Sequence, residues 1–305
     1  MINTPLVSIL MNSHNGGKYL YDSVSSVINQ TYQNWELIFF DNFSNDNSYD
    51  LIKDFNDPRI KYFRSNKFLT LGEARKAAEL HLKGDLIGIL DSDDIWLRDK
   101  LTNQIKYFDD NRVGLIFSAS IYFNNYKEIK VFPYTKFIKK NLYFNLLNKY
   151  QIPLETVLLR KKYLDELDYK FDSNFSFISD YDLLIRLSKV CFTVFIPEVT
   201  AKWRYHSESD TNKFPLNFVN EKEIWIKNKL NSSSLNNKEI ILLKRLESNN
   251  NSEKSRLLLV YNSRYEAFLN LIRKPNINMF WLITLVLIIF PFSKTLLRIR
   301  YKRGF

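Results

Sequence analysis

A single cysteine, Cys191, stands among 305 residues. One thiol cannot close an internal disulfide, so nothing asks for an oxidising compartment, and Cys/His zinc sites are excluded by the same count. No GxGxxG follows the first predicted strand and no GxxxxGK[ST] occurs, so the usual dinucleotide and P-loop signatures are missing. Zinc fingers, RNP-type aromatic motifs and basic zippers are also missing, so no nucleic-acid partner is expected. The opening MINTPLVSIL lacks the basic segment and long apolar region of a signal peptide, which leads us to expect the catalytic part in the cytoplasm. No apolar run reaches the about 20 residues of a membrane span.

What is present is a chain that can bury an ample core, with 45% hydrophobic and 15% aromatic residues. Its formal charge of +11 is concentrated at one end. Residues 264–305 hold eight Lys/Arg and one acid, Glu266, which is +7 of the +11. In that stretch lies MFWLITLVLIIFPF, residues 279–292, followed by KTLLRIRYKR. An apolar stretch of this length with positive charge behind it suits peripheral attachment to the anionic inner face of a membrane. A core helix with a solvated basic end is the alternative.

The first hundred residues alternate between two periodicities. Residues 6–11 are a short apolar run, and residues 18–30 place Leu20, Val24, Val27 and Ile28 on one helical face, which reads as strand then helix. Strands are predicted at 35–40, 60–64 and 86–90, helices at 48–55 and 71–83. Apolar runs without alternation suit strands covered on both faces, so an α/β fold with a largely parallel sheet is expected. Right-handed crossovers place every strand's carboxyl end on one edge, where such sheets bind ligands.

Polar residues stand at those ends: Asn12 to Gly17 after the first strand, Asp41 to Asp46 after the second, Asp91-Ser92-Asp93-Asp94 after the fourth. Three carboxylates within four residues repel one another unless a cation lies between them, and hard oxygen ligands suit Mg²⁺ or Mn²⁺. An acidic loop capping the next helix is the other reading.

VSILMNSHNGGKYLYDSVSSVINQTYQNWELIFFDNFSNDNS and GDLIGILDSDD resemble the family 2 glycosyltransferases of GT-A fold, with their N-G-x-x-Y-L helix start, Q-T-Y-x-N-x-E-L strand entry, D-D-G-S-T-D and D-x-D-D elements. The resemblance covers residues 5–110 closely and extends more thinly to 210. It implies a GT-A domain over 1–210, with a nucleotide-sugar half to 110 and an acceptor half beyond; the residue pattern that follows reads as a helical extension over 211–263 and a membrane-associating tail over 264–305.

The resemblance also implies roles, residue by residue. Asp41 would contact the base or ribose, His14 and Asn15 would lie beside the base, and Arg75 near the nucleotide. Asp91 and Ser92 belong to the donor site, and Asp93 is the direct ligand of a Mn²⁺ or Mg²⁺ ion. Ser179-Asp180-Tyr181-Asp182-Leu183 resembles the family's E-D-Y-D-L, which makes Asp180 the catalytic base, although an ordinary helix N-cap is the competing reading. Trp203 to Ser209 resembles R-x-H-x-x-S, in which His206 approaches the metal or diphosphate. Departures from the pattern are Asn42 for the second Asp of D-D-G-S-T-D, Phe43 for its Gly, Lys76 for Asn and Ser179 for Glu. Asn42 can still hydrogen-bond a base edge.

The implied reaction is inverting transfer of one sugar from a nucleotide-diphosphate sugar, a UDP-sugar foremost, to a glycan or lipid-linked acceptor in bacterial cell-surface polysaccharide synthesis. The Q-x-x-R-W element of processive synthases is missing. A nucleotidyltransferase on a similar sheet, or a non-catalytic nucleotide-sugar-binding protein at the membrane, are the alternatives. Beyond residue 210, helices are predicted at 220–230, 238–248 and 253–273, separated by the linkers LNSSSLNN and ESNNNS, with an apolar stripe suited to helix packing or a homo-oligomer contact.

Overall fold

The computed structural model describes residues 4–124, 126–134, 136–261, 263–273, 279–290 and Leu297. The chain forms two compact units, residues 1–143 with 150–205, and residues 144–149 with 206–305.

The first unit begins β1 (Val7–Ser13), α1 (Gly17–Ile28), β2 (Trp35–Asp41), α2 (Ser48–Asp54), β3 (Ile60–Arg64), α3 (Leu71–Ala78), β4 (Leu86–Ile89). β1 pairs in parallel with β2 and β4, and β2 with β3, so Ser13 stands beside Asp41 and Asp41 beside Arg64 at one edge of the sheet. The apolar runs cover both faces. Val7, Ile9 and Met11 of β1 and Leu37 and Phe39 of β2 share one core with Leu20, Val24 and Val27 of α1. Each such side chain, fully buried, contributes roughly 1.5–3 kcal/mol.

Past β4 the sheet changes character. β5 (Ile95–Trp96), α4 (Lys100–Ile105), β6 (Val113–Phe123), β7 (Glu128–Val131), β8 (Ile138–Lys140) and α5 (Tyr143–Asn148) are followed by β9 (Leu158–Arg160), α6 (Lys161–Asp165), α7 (Ser179–Val190) and β10 (Phe192–Arg204). The strand order is β3-β2-β1-β4-β9-β6-β10-β5. β9 enters antiparallel to both β4 and β6, and β5 antiparallel to β10, while β6 and β10 run parallel. The largely parallel sheet expected from the sequence is therefore mixed beyond β4. Three- and two-residue strands such as β9 and β5 are too short to show periodicity, and their pairing is set by tertiary contact.

The second unit contains residues 144–148 of α5 together with α8 (Asp210–Lys213), α9 (Pro215–Leu230), α10 (Asn237–Tyr261), α11 (Arg264–Arg273) and α12 (Met279–Ile289). The expected linker ESNNNS is instead the middle of α10. Two of its asparagines are buried with partners, which makes a helix acceptable there. Asn250 Nδ2 donates to the Val219 carbonyl of α9 at 2.8 Å, and Asn251 and Asn270 of α11 exchange amide hydrogen bonds at 3.2 Å. The predicted helix over 253–273 is broken between Tyr261 and Arg264. Among the described residues no helix is long and apolar enough to cross a membrane. The basic residues expected at 294 and 298–303 lie outside the described residues.

Candidate active site

Three loops meet at the carboxyl edge of β1, β2 and β4. The turn from β1 into α1 passes through Asn15, at φ 53°, into Gly16 and Gly17. A Cβ on Gly16 would fall 2.2 Å from Ser13 Oγ and 2.9 Å from Ser92 Oγ, and one on Gly17 would fall 2.3 Å from Asn47 Oδ1. The missing side chains are what let the second and third loops close on the first. Asn15 N–H donates to Ser44 Oγ at 2.9 Å, Gly17 N–H to Asp46 Oδ2 at 3.0 Å, and Asn45 N–H to Asn15 Oδ1 at 2.9 Å. His14 Nδ1 donates to the Asn42 carbonyl at 2.9 Å, which leaves Nε2 to accept from Asn15 Nδ2 at 3.2 Å.

Asp41 is wholly buried at the end of β2. One oxygen accepts the Ser44 N–H at 2.7 Å, the other the Tyr62 hydroxyl, with Arg64 Nε at 3.7 Å. Burial and the Asp41 carboxylate together push the Tyr62 phenol well up. The Asn42 amide is engaged within the fold. Its Nδ2 donates to the Leu69 carbonyl at 2.8 Å and its Oδ1 accepts the Leu69 N–H at 2.9 Å, which pins the segment before α3. Both side chains thus hold the segments around them in place.

The acidic loop after β4 is held from three sides. Ser23 Oγ of α1 donates to the Asp94 carbonyl at 2.6 Å. Arg204, at the end of β10, donates its N–H to Asp94 Oδ1 at 2.8 Å and its Nε–H to the Asp93 carbonyl at 2.8 Å, and reaches Asp22 at 3.0 Å. Trp96 folds back against Gly88, where a Cβ would meet the indole at 2.6 Å. The N-cap of α4 is Asp99, so the acids Asp91, Asp93 and Asp94 do not cap that helix.

Arg75 joins this loop to the candidate base. It sits on α3 with 3% of its surface exposed. The helix starts with a Thr70–Glu73 capping box, and Gly72 lets its first turn close on the segment before α7, where a Cβ would lie 2.1 Å from the Phe175 carbonyl. One guanidinium nitrogen donates to Ser179 Oγ at 2.6 Å and lies 3.8 Å from Asp180 Oδ1, and the other reaches Asp91 Oδ1 at 3.4 Å. Asp180 is not an N-cap, for that position of α7 is Ile178. Asp182 is fully buried and pairs with Arg186 at 2.8 Å, so of the two acids in DYD only Asp180 faces Arg75.

The site carries surplus negative charge. Asp91 keeps about two-fifths of its side chain open, yet desolvation, with Asp93 and Asp180 nearby and Arg75 opposing, pushes its carboxyl up to about 6. Asp94, buried beside Asp93 and Glu155, is raised well above the ordinary range. Carboxylates gathered in this way fit a hard divalent cation. Among the described residues no three His, Cys, Asp or Glu side chains form a metal-holding group. His206 opens the second unit, its carbonyl accepting from Ser209 Oγ at 3.1 Å and Asn212 Nδ2 at 2.7 Å.

Residues 8–167, more than half of the chain, match the family described as Glycosyl transferase family 2. This chain belongs to that family. It is similar to the UDP-Glc:alpha-D-GlcNAc-diphosphoundecaprenol beta-1,3-glucosyltransferase WfgD of Escherichia coli, with 34% identity over 168 residues, 54% of this chain and 64% of that relative. Its fold is similar to S. aureus TarS 1–349 in complex with UDP-GlcNAc, at TM-score 0.62 and 14% identity over 91% of this chain and 79% of the other. It is likewise similar to the mannosyltransferase PcManGT from Pyrobaculum calidifontis in complex with GDP-Man and Mn2+, at TM-score 0.63 and 13% identity over 97% and 84%. The fold is GT-A.

Within this family 2 chain, the replacements at Ser179 and Phe43 acquire physical meaning. Ser179 is buried and accepts from Arg75, so it supports the guanidinium without adding a further charge. Phe43 takes φ 63°, the left-handed conformation that glycine adopts freely, and its ring lies 5.7 Å from the Arg64 guanidinium.

Sequence reading missed Glu155 and Lys100. Both are buried, Lys100 over the Trp96 ring and donating to Gln104 and to the Thr156 carbonyl at 2.9 Å, Glu155 accepting from Ser120. An acid and a base more than fifty positions apart give no local motif. Burial pushes the Glu155 carboxyl up to about 7. A raised folded-state carboxyl binds more protons than the unfolded one, so its contribution weakens as pH rises from the ordinary carboxylate range to about 7. Glu155→Gln is therefore expected to gain stability relative to the wild type by about 1–3 kcal/mol at pH 8 and by nothing at pH 4. Urea unfolding of both proteins at the two pH values measures that difference.

Proposed function

We propose that this protein transfers one sugar from a UDP-sugar to a hydroxyl of a lipid-linked glycan acceptor, with inversion at the anomeric carbon. The observation that carries the reading is Arg75, whose single guanidinium touches both Asp91 of the acidic loop and Asp180 of α7. A donor whose diphosphate lies over the acidic loop then has its anomeric carbon toward Asp180. The acceptor hydroxyl gives its proton to the Asp180 carboxylate as its oxygen bonds to the anomeric carbon. The bond from that carbon to the diphosphate oxygen breaks on the opposite face, and its electron pair leaves with the diphosphate. Asp93, with Asp91, would hold a divalent cation, which supplies positive charge to the departing diphosphate. Arg75 keeps the two carboxylate groups apart and oriented.

The uridine nucleotides named for the E. coli relative and in the S. aureus complex support a UDP-sugar before a GDP-sugar, and the diphosphoundecaprenol acceptor named for the former supports a lipid-linked one. The alignment spans 64% of that E. coli relative, so donor and acceptor are both to be tested on this chain. Calorimetry with UDP, GDP and dTDP, with and without Mn²⁺, is expected to show metal-dependent binding, tightest for UDP. Absence of metal-dependent binding to any of the three would overturn the reading. Binding without transfer from the matching nucleotide sugar would leave a non-catalytic binding protein.

A further inference from the structure

Among its described residues the second unit carries apolar side chains that stay exposed. α10, α11 and α12 share one core, with Leu259 and Val260 packed against Ala267, Leu271 and Ile288. The opposite sides of the last two helices are apolar as well. Tyr265, Phe268 and Ile272 recur at helical spacing on α11, and Ile283, Val286 and Ile289 at three-residue spacing on α12, with Tyr265 70%, Val286 61% and Ile289 69% exposed. Water-exposed aliphatic side chains grouped in this way mark an interaction surface.

We infer that this face docks on an anionic phospholipid surface, with α12 lying along it. The charge of the chain selects that occupant. Residues 264–305 carry eight Lys/Arg against Glu266, five of them after α12 at Lys294, Arg298, Arg300, Lys302 and Arg303. An acidic lipid leaflet complements that charge, whereas a second copy of the chain carries the same sign. At 1.5 Å per residue the 11 residues of α12 extend about 16 Å, half of a hydrocarbon core of about 30 Å, so the helix rests at the interface and does not span. Aromatic rings such as Tyr265 and Phe268 suit the headgroup level.

The inference is independent of the transfer reaction, and one experiment reads the two separately. The full chain is sedimented with vesicles of phosphatidylcholine alone or mixed with phosphatidylglycerol, and Mn²⁺-dependent UDP binding is measured on the same preparations. The wild type is expected to sediment with the mixed vesicles, less with phosphatidylcholine, and less again at high salt. Val286→Asp/Ile289→Asp should lower partitioning about tenfold or more with an unchanged circular dichroism melt. Arg298→Glu/Arg300→Glu/Lys302→Glu, which leaves the apolar face intact, should lower binding to the mixed vesicles alone. Equal partitioning of wild type and both variants, or no binding by the wild type, overturns the inference. So does a wild-type dimer, seen by light scattering, that the aspartates dissociate without any vesicle binding, which would assign the face to a second copy.

Discussion

Asp180→Asn is expected to lower kcat roughly 10²–10⁴-fold while leaving the affinity for the nucleotide sugar within a factor of a few. The amide has the shape of the carboxylate but cannot accept the acceptor's proton at neutral pH. Asp180 is about one-fifth exposed and meets Arg75 only at 3.8 Å, so the fold does not depend on its charge. In the proposed reading the donor is held on the acidic loop, on a different element. Single-turnover kinetics together with calorimetry check both halves of the expectation. A parallel loss of donor affinity, or a fall in kcat below tenfold, would remove Asp180 from the base role.

Arg75→Met should act on stability and on metal binding together. The guanidinium is 4% exposed at its side chain and is shared by Asp91, Asp180 and Ser179. Removing a buried charge from such a group leaves its partners uncompensated, which costs about 3–5 kcal/mol. The low end applies here, because Asp91 keeps 41% and Asp180 22% of the side chain in water. About 3 kcal/mol corresponds to a fall of about 6–12 °C in the melting temperature of a unit of this size. Arg75 also opposes the rise of the Asp91 carboxyl, now at about 6, so its loss moves that carboxyl higher. Asp91 then stays protonated further up the pH scale. Mn²⁺-dependent nucleotide binding should be weakened at pH 6 and recover toward pH 8, whereas the wild type changes less over that interval. Arg75→Lys keeps a charge without the fork and should fall between. A variant that melts with the wild type and binds metal and nucleotide with an unaltered pH profile would show that the bridge has no energetic role.

The parallel half of the fold was readable because its strands and helices are long enough to show period. Leu20, Val24 and Val27 on α1 and the unbroken apolar runs of β1 and β2 are buried as their spacing predicts. The break between α10 and α11 and the continuity of α10 were not readable. Asn250 and Asn251 look like linker residues in sequence, and only the carbonyls of Val219 and Asn270 beside them make a helix acceptable there.

By itself the sequence determined the family, the succession of β and α elements as far as β4, and the acids at the ends of the strands, since these follow from local periodicity and contiguous motifs. Tertiary structure alone decided that β9 runs antiparallel, that Asn42 holds Leu69, and that Arg75 stands between Asp91 and Asp180. It also decided that Glu155 and Lys100 lie buried. Arg75 and Asp180 are separated by a hundred positions, and no local preference encodes a contact at that distance. It forms because α3 and α7 each bury their apolar faces, and that packing brings a guanidinium and two carboxylates to the same edge of the sheet.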